Sequence, residues 1–205
     1  MRAVEDATAP TGLFKKSTQE TVGEETVLPL STNQLGIWAL LGTLSMLFAG
    51  FASAYLVRRA GADWQRVPLP GILWINTIVL LSSSVTLEVA RSAERRGQAA
   101  ALKGWLLITT LLGLAFLGGQ LMGWRQLAAR GVYLPTSPYS SFFYMLTAVH
   151  GAHLLGGILA LGYALWRVWR ARWTPAQPER VNGCATYWHF VDGVWVFLYL
   201  LMLRY

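Results

Sequence analysis

The sequence has 205 residues, of which 54% are hydrophobic and only 13% charged, and its mean hydropathy is +0.40. That balance is more apolar than a water-soluble domain of this length normally shows, so lipid is the expected solvent for most of the chain. The net charge of +7 comes from bases in short stretches between apolar blocks. Such stretches indicate loops that face lipid headgroups and argue against a nucleic-acid-binding protein. A single cysteine, Cys184, excludes an internal disulfide and a thiolate metal cluster.

Residues 1–32 differ in composition from everything that follows. They are polar, carry both signs of charge and have no apolar core. This composition predicts a flexible polar cytoplasmic tail and not a signal peptide. The remainder, residues 33–205, is expected to form one transmembrane domain.

Five apolar blocks then follow in chain order. At about 1.5 Å of helix per residue, each block is long enough to cross a hydrocarbon core of about 30 Å. Their apolar character runs all round, and the alternating ten-residue strands of a membrane barrel are absent, so helices are the expected spanning form. The sequence therefore predicts an all-α polytopic membrane protein, a bundle of five transmembrane helices. The predicted spans are residues 35–57, 72–90, 104–124, 140–166 and 184–203.

The distribution of Lys and Arg predicts the orientation of the bundle. Eleven of the seventeen lie in the N-terminal tail and in the second and fourth connections, whereas six lie on the opposite side. Because cytoplasmic loops carry the excess of bases, we expect the N-terminus in the cytoplasm and the C-terminus outside. Five of these bases are expected to face lipid headgroups or an interface at the cytoplasmic side: Arg95, Arg96, Arg167, Arg170 and Arg172.

Few polar groups interrupt the predicted spans, and His150, His153, His189 and Asp192 are the main ones, with Glu88 near the end of the second block. The HxxH spacing of His150 and His153 fits a metal pair or interhelical hydrogen bonding, and the lack of a neighbouring carboxylate ligand favours hydrogen bonding. A charge at the bilayer centre costs about 2.5–3.5 kcal/mol, so Asp192 must face protein or water beside a donor. We expect the three histidines and Asp192 to form one buried polar seam joining the fourth and fifth helices.

Motifs that assemble a nucleophile, a metal-activated water or a nucleotide site are missing. The sequence contains no GxSxG, HExxH, GxGxxG or Walker loop. A small transporter is the alternative from another class, but the sequence has no internal repeat, no matched pair of broken helices and no cluster of membrane carboxylates. No catalytic, cofactor-binding or metal-binding residue is therefore predicted.

Two strings near the C-terminus carry a specific resemblance. They are SSFFYMLTAVHGAHLLGG (140–157) and YWHFVDGVWVFLYLLM (187–202), and they resemble the last two helices of subunit III of haem-copper terminal oxidases. Three earlier strings are similar to the preceding helices of a short, five-helix bacterial form: LGIWALLGTLSMLFAGFASAYLVRR (35–59), NTIVLLSSSVTLEVA (76–90) and GGQLMGWRQL (118–127). The resemblance covers nearly all of the chain outside the tail.

The resemblance implies a non-catalytic subunit of a respiratory oxidase that reduces oxygen to water and pumps protons. It implies that this subunit stabilises the catalytic subunit and supports proton uptake in the bacterial inner membrane. Implied partners are subunit I, subunit II, other small membrane subunits and phospholipids, with haem and copper held by the partner subunits. Three histidines are too few for the two haems and the copper of the catalytic subunit. An accessory subunit of a quinol oxidase or of a nitric oxide reductase is the alternative within the same superfamily.

The sequence departs from the family pattern at two acidic positions. The membrane-embedded glutamate of the first matching helix falls on Leu44, and an acid often present in the third falls on Gly123. The first two helices of longer members, which help to form a lipid-holding cleft, have no counterpart in the matched strings. A mechanism that uses those carboxylates is therefore not expected for this chain.

Overall fold

The structure, a computed structural model, describes residues 32–170 and 180–204. Within these ranges the chain forms five helices and no strand: α1 Thr32–Arg58, α2 Ile72–Arg95, α3 Ala99–Ala129, α4 Pro138–Arg170 and α5 Arg180–Arg204. All five are long and apolar enough to cross a membrane. The prediction of an all-α membrane bundle with five spanning helices is confirmed. The predicted cytoplasmic tail lies, as far as residue 31, outside the described residues.

Every helix extends beyond the apolar block from which it was predicted. The fourth span was expected over residues 140–166, whereas α4 runs for 33 residues, about 50 Å, from Pro138 to Arg170. The apolar block corresponds only to the part of the helix that lies in hydrocarbon, whereas backbone hydrogen bonding continues through the polar ends of the helix. Basic residues in the last turn, such as Arg95 of α2 and Arg170 of α4, favour this extension because they interact with the negative end of the helix dipole.

Two glycines with positive φ lie at the ends of helices and permit tight connections. Gly97, with φ of 73°, follows α2, and the backbone N–H groups of Gly97 and Gln98 donate to the carbonyl oxygens of Glu94 and Ala93 at 3.0 Å. This pattern closes the last turn and leaves only residues 96–98 between α2 and α3. Gly131, also at φ of 73°, ends α3 in the same way. The left-handed conformation at each position suits glycine because it has no Cβ.

The connection from α1 to α2 is anchored at its start by an ion pair. The Arg58 guanidinium donates to the Asp63 carboxylate, with Nη1 to Oδ1 at 2.7 Å. This hydrogen bond from Arg58 holds the pKa of the Asp63 carboxyl below its usual range. Both side chains are exposed, so the pair positions the connection and contributes little to overall stability.

Four of the helices form a closed ring. The helices α2, α3, α4 and α5 each contact their neighbours in that order, and α5 contacts α2 again. The first helix lies outside this ring and packs across α5 and α4. The outward surface stays apolar, as with Met46 (78% exposed) and Ile78 (63% exposed). Such residues meet lipid, so the bundle is held by packing and hydrogen bonds between helices.

Two tryptophans of α5, two turns apart, fill the centre of the ring. Trp188 packs on the backbone at Gly113 of α3 and Gly157 of α4, and its Nε1 donates to Ser83 Oγ of α2 at 2.9 Å. Trp195 donates from Nε1 to Thr77 Oγ1 of α2 at 3.0 Å. Both indoles are fully buried. Each therefore connects α5 to several helices at once, and together they set the rotation of α5 about its axis.

Candidate functional site

Polar and charged side chains of α2 and α5 meet in one hydrogen-bonded row, which we call the α2–α5 polar cluster. It consists of Arg91, Glu88 and Ser84 of α2 with His189 and Asp192 of α5. Arg91 Nη1 lies 2.6 Å from Glu88 Oε1, His189 Nε2 lies 2.8 Å from the same oxygen, and His189 Nδ1 lies 3.0 Å from Ser84 Oγ. Ser84 Oγ also bonds Asp192 Oδ2.

The cluster runs from the end of α2 into the middle of the bundle. Arg91 is in the penultimate turn of α2, whereas Asp192 lies twelve residues, about 18 Å, from either end of α5. From Glu88 inward exposure falls: the Glu88 side chain is 47% exposed, the His189 side chain 34%, and Asp192 only 3%. The cluster therefore joins the lateral surface of the bundle near one membrane face to a carboxyl group at its centre.

His150 and His153 of α4 occupy a different environment. Their rings pack edge to face on Phe48 of α1, and His150 also lies 5.0 Å from Trp195, centroid to centroid. His153 Nδ1 lies 2.7 Å from the Val149 carbonyl oxygen one turn earlier, which assigns the proton to Nδ1. His150 is fully buried, and neither ring nitrogen has a hydrogen-bond partner among the described residues.

The four residues expected to form one seam between α4 and α5 are divided into two groups. His189 and Asp192 bond to Ser84 and Glu88 of α2, whereas His150 and His153 pack among aromatic rings of the neighbouring helices. Helical spacing places each pair on one face of its helix, but it does not show which helix that face meets. The expectation of a single α4–α5 seam differs from the structure in this respect, because the tryptophans of α5 turn Asp192 toward α2.

Ser84 is the member of the cluster that the sequence did not single out. It stands in the run Ser82 to Ser84, of which Ser82 and Ser83 bond to carbonyl oxygens of their own helix. Ser83 also accepts from Trp188 of α5, and Ser84 is the serine that bonds the ionisable residues Asp192 and His189. A serine one turn before a membrane glutamate was the available signal, since such pairs share a helix face.

No three His, Cys, Asp or Glu side chains converge on a potential metal position within residues 32–170 and 180–204. The two positions at which the resemblance would place acids, Leu44 and Gly123, are buried. A Cβ at Gly123 would touch Leu73 at 3.5 Å. Gly123 therefore lies against apolar side chains of α2, and Leu44 is a buried apolar residue of α1.

Basic side chains cluster at the end of α4. Arg167 and Arg170 are exposed and lie over aromatic rings one turn earlier, 5.8 Å from the Tyr163 centroid and 5.1 Å from the Trp166 centroid. At the same membrane face, Arg95 and Arg96 at the end of α2 are exposed. Arg172, expected to act with them, lies outside the described residues. Arginine over an aromatic ring is a cation–π arrangement typical of a membrane interface.

Five long apolar helices, with a polar cluster between α2 and α5, define an all-α polytopic membrane protein. The model of the family described as "Cytochrome c oxidase subunit III" matches residues 31–205, and the chain belongs to that family. It is similar to the "Probable cytochrome c oxidase subunit 3" of Mycobacterium bovis, with 37% identity over 171 residues that cover 81% of this chain and 83% of the relative.

Two further relatives carry the same description. The "Cytochrome c oxidase subunit 3" of Corynebacterium diphtheriae is 35% identical over 176 residues, covering 81% of this chain and 84% of the relative. That of Synechocystis is 33% identical over 176 residues, covering 82% and 73%. These relatives confirm the prediction that the chain is subunit III of a haem-copper oxidase. They do not favour the alternatives of a quinol oxidase subunit, a nitric oxide reductase subunit or a transporter.

Proposed function

We propose that this chain binds laterally to the catalytic subunit I of a respiratory oxidase in the bacterial inner membrane, beside subunit II and other small membrane subunits. It holds no redox cofactor itself, and haem and copper reside in the partner subunits. Its contribution is to stabilise the catalytic subunit and the surroundings of its proton entry, so that oxygen reduction and proton pumping last over many turnovers.

The polar cluster is the observation that carries this proposal. Glu88 is nearly half exposed on the lateral surface of the bundle, within a span where lipid chains offer no hydrogen bond. Both of its bonds use Oε1, so Oε2 has no hydrogen bond within the described residues. An exposed acceptor at this depth favours a protein partner or water over lipid.

The basic ends of α2 and α4 support a role at the cytoplasmic side. Arg95, Arg96, Arg167 and Arg170 are exposed there and suit the headgroups of anionic phospholipids, with Arg172 in the same connection. They do not serve as proton donors, because arginine stays protonated throughout the physiological pH range. Their role is to hold lipid and to raise the local potential near the proton entry.

Depletion of this chain from the purified oxidase tests the proposed function. We expect the depleted assembly to keep its haem spectrum and its initial rate of oxygen consumption, and then to lose activity over repeated turnovers. Adding the purified chain back is expected to restore the lifetime. Loss of haem or copper in proportion to the removed chain would contradict the proposal, since the cofactor would then reside here.

The proposed orientation places the connections at 59–71 and 130–137 outside and the connection at 96–98 in the cytoplasm. In a Cys184→Ser background, single cysteines replace the exposed residues Ala60, Tyr133 or Arg96. A membrane-impermeant maleimide on intact cells is expected to label positions 60 and 133, and to label position 96 only after permeabilisation. The reverse pattern would overturn the orientation.

A further inference from the structure

The hydrogen bonds of the α2–α5 polar cluster impose a count of protons. Arg91 donates to Glu88 Oε1, which makes that oxygen an acceptor, so His189 Nε2 donates its N–H to the same oxygen. Two bonds then remain, one from Ser84 Oγ to Asp192 Oδ2 and one between Ser84 Oγ and His189 Nδ1. Each of these bonds requires one proton.

The Ser84 hydroxyl supplies only one of the two. If Ser84 donates to Asp192, then His189 Nδ1 must carry a hydrogen and donate to Ser84. If Ser84 donates to His189 Nδ1, then Asp192 must carry the hydrogen and donate to Ser84. An ionised Asp192 beside a neutral His189 satisfies only one bond and leaves two lone pairs facing each other. Each arrangement that forms both bonds of Ser84 therefore holds one proton more than an ionised Asp192 beside a neutral His189.

The two arrangements have the same total charge. Asp192, His189 and Glu88 together carry −1 in either of them, and Arg91 brings the cluster to zero. Without the additional proton, the cluster would carry −1 with its carboxyl group at the middle of the membrane, where a net charge costs several kcal/mol. The proton count and the membrane environment therefore favour the same state.

We propose that Asp192, Ser84 and His189 form a proton-binding site that holds one shared proton, which moves between the Asp192 carboxyl and His189 Nδ1 through the Ser84 hydroxyl. In this transfer an O–H bond of Asp192 breaks as one of Ser84 forms, and an O–H bond of Ser84 breaks as the N–H bond of His189 forms. The site exchanges its proton with the surroundings at its exposed end, beside Glu88. Placing that end at the cytoplasmic half of the membrane rests on the orientation proposed above.

Among the described residues, the charged and titratable groups bonded to the site lie on α2 and α5. They are Glu88 and Arg91 from α2 and the two residues themselves from α5, with the neutral Asn182 bonded to Arg91 Nε at 3.1 Å. His150 and His153 of α4 form no hydrogen bond with the cluster in the described part of the chain. As pH rises, the site loses its proton and the cluster passes from neutral to −1.

Coupled titration of the two residues tests the proposal. The full chain, labelled with ¹⁵N-histidine and ¹³C-aspartate, is placed in lipid bilayers and followed by solid-state NMR against pH. Only three histidines are present, and Asp6 and Asp63 are the only other aspartates, so variants at single positions assign the signals. We expect the His189 nitrogen and the Asp192 carboxyl to titrate with one common midpoint, because the proton belongs to the pair.

Variants of Ser84 supply the matched controls. Ser84→Ala removes the bridge and is expected to separate the midpoints of His189 and Asp192 by at least one pH unit, whereas Ser84→Thr keeps the hydroxyl and the common midpoint. Separate midpoints in the unaltered chain, or an ionised Asp192 beside a neutral His189 at pH 7, would overturn the proposal. These measurements use the chain without its partners, so their failure leaves the proposed function untouched.

Discussion

Replacing Trp188 by alanine is expected to lower the free energy of unfolding by about 3 kcal/mol, at the low end of the range for large-to-small changes at buried aromatic sites. The indole touches α3 and α4 and donates to α2, so its loss opens a cavity where the four helices of the ring meet. The low end applies because lipid solvates the released apolar surfaces better than water does. Denaturation in mixed detergent micelles, followed by circular dichroism, measures the change.

Two matched variants separate packing from hydrogen bonding at this position. Ser83→Ala removes the acceptor of the indole N–H and leaves the ring in place, so a cost of about 1 kcal/mol is expected. Trp169→Ala removes an indole that is 64% exposed to lipid and is expected to change stability by less than about 0.5 kcal/mol. Equal stability of the Trp188→Ala and Trp169→Ala variants would show that Trp188 does not hold the ring together.

The second large effect is expected at Gly119 of α3. Adding one methyl group there has a different consequence from adding it at the neighbouring Gly118. A Cβ at Gly119 would lie 2.7 Å from Cγ and 2.8 Å from Nδ2 of Asn76, whereas a Cβ at Gly118 meets nothing within 4 Å. Asn76 is buried and donates from Nδ2 to the Phe116 carbonyl oxygen at 3.2 Å, so it cannot move away freely. We expect Gly119→Ala to cost about 1–3 kcal/mol.

Gly118→Ala is the control on the same helix, and it is expected to be neutral or slightly stabilising because alanine favours a helix over glycine. A second background tests the cause: in an Asn76→Ala chain, Gly119→Ala should lose most of its cost, since the obstructing side chain is gone. Strong coupling between the two positions in this double-mutant cycle is the expected result. Equal destabilisation by the Gly118 and Gly119 variants would argue against contact with Asn76 of α2 as the cause of the effect.

The polar cluster shows which features of a site residue spacing alone can predict. His189 and Asp192 are three residues apart, a spacing that places them on one side of α5, and both bond to Ser84. Glu88 was recognised as a polar group of the second span, yet nothing in the local sequence connects it to His189, 101 positions later. Ser84 was missed because serine is common in membrane helices and usually bonds to its own backbone, as Ser82 does.

The class of protein, the number of helices and their approximate bounds follow from the amino-acid pattern alone. Lipid leaves the backbone no other partner for its hydrogen bonds, so the length and apolarity of each block are sufficient to predict a spanning helix. The strings at residues 140–157 and 187–202 were specific enough to indicate the family as well, and the family match over residues 31–205 confirms it.

The amino-acid pattern does not show which face of each helix meets which neighbour, and that assignment comes from the packed bundle. The spans are apolar all round, so no amphipathic stripe marks an inner face, and the rotation of a helix cannot be derived from its own pattern. For α5 that rotation is set by Trp188 and Trp195, whose indoles fit beside glycines and hydroxyl groups of other helices. The same rotation brings Asp192 to Ser84 of α2 and away from the histidines of α4, because side chains on one rigid helix turn together.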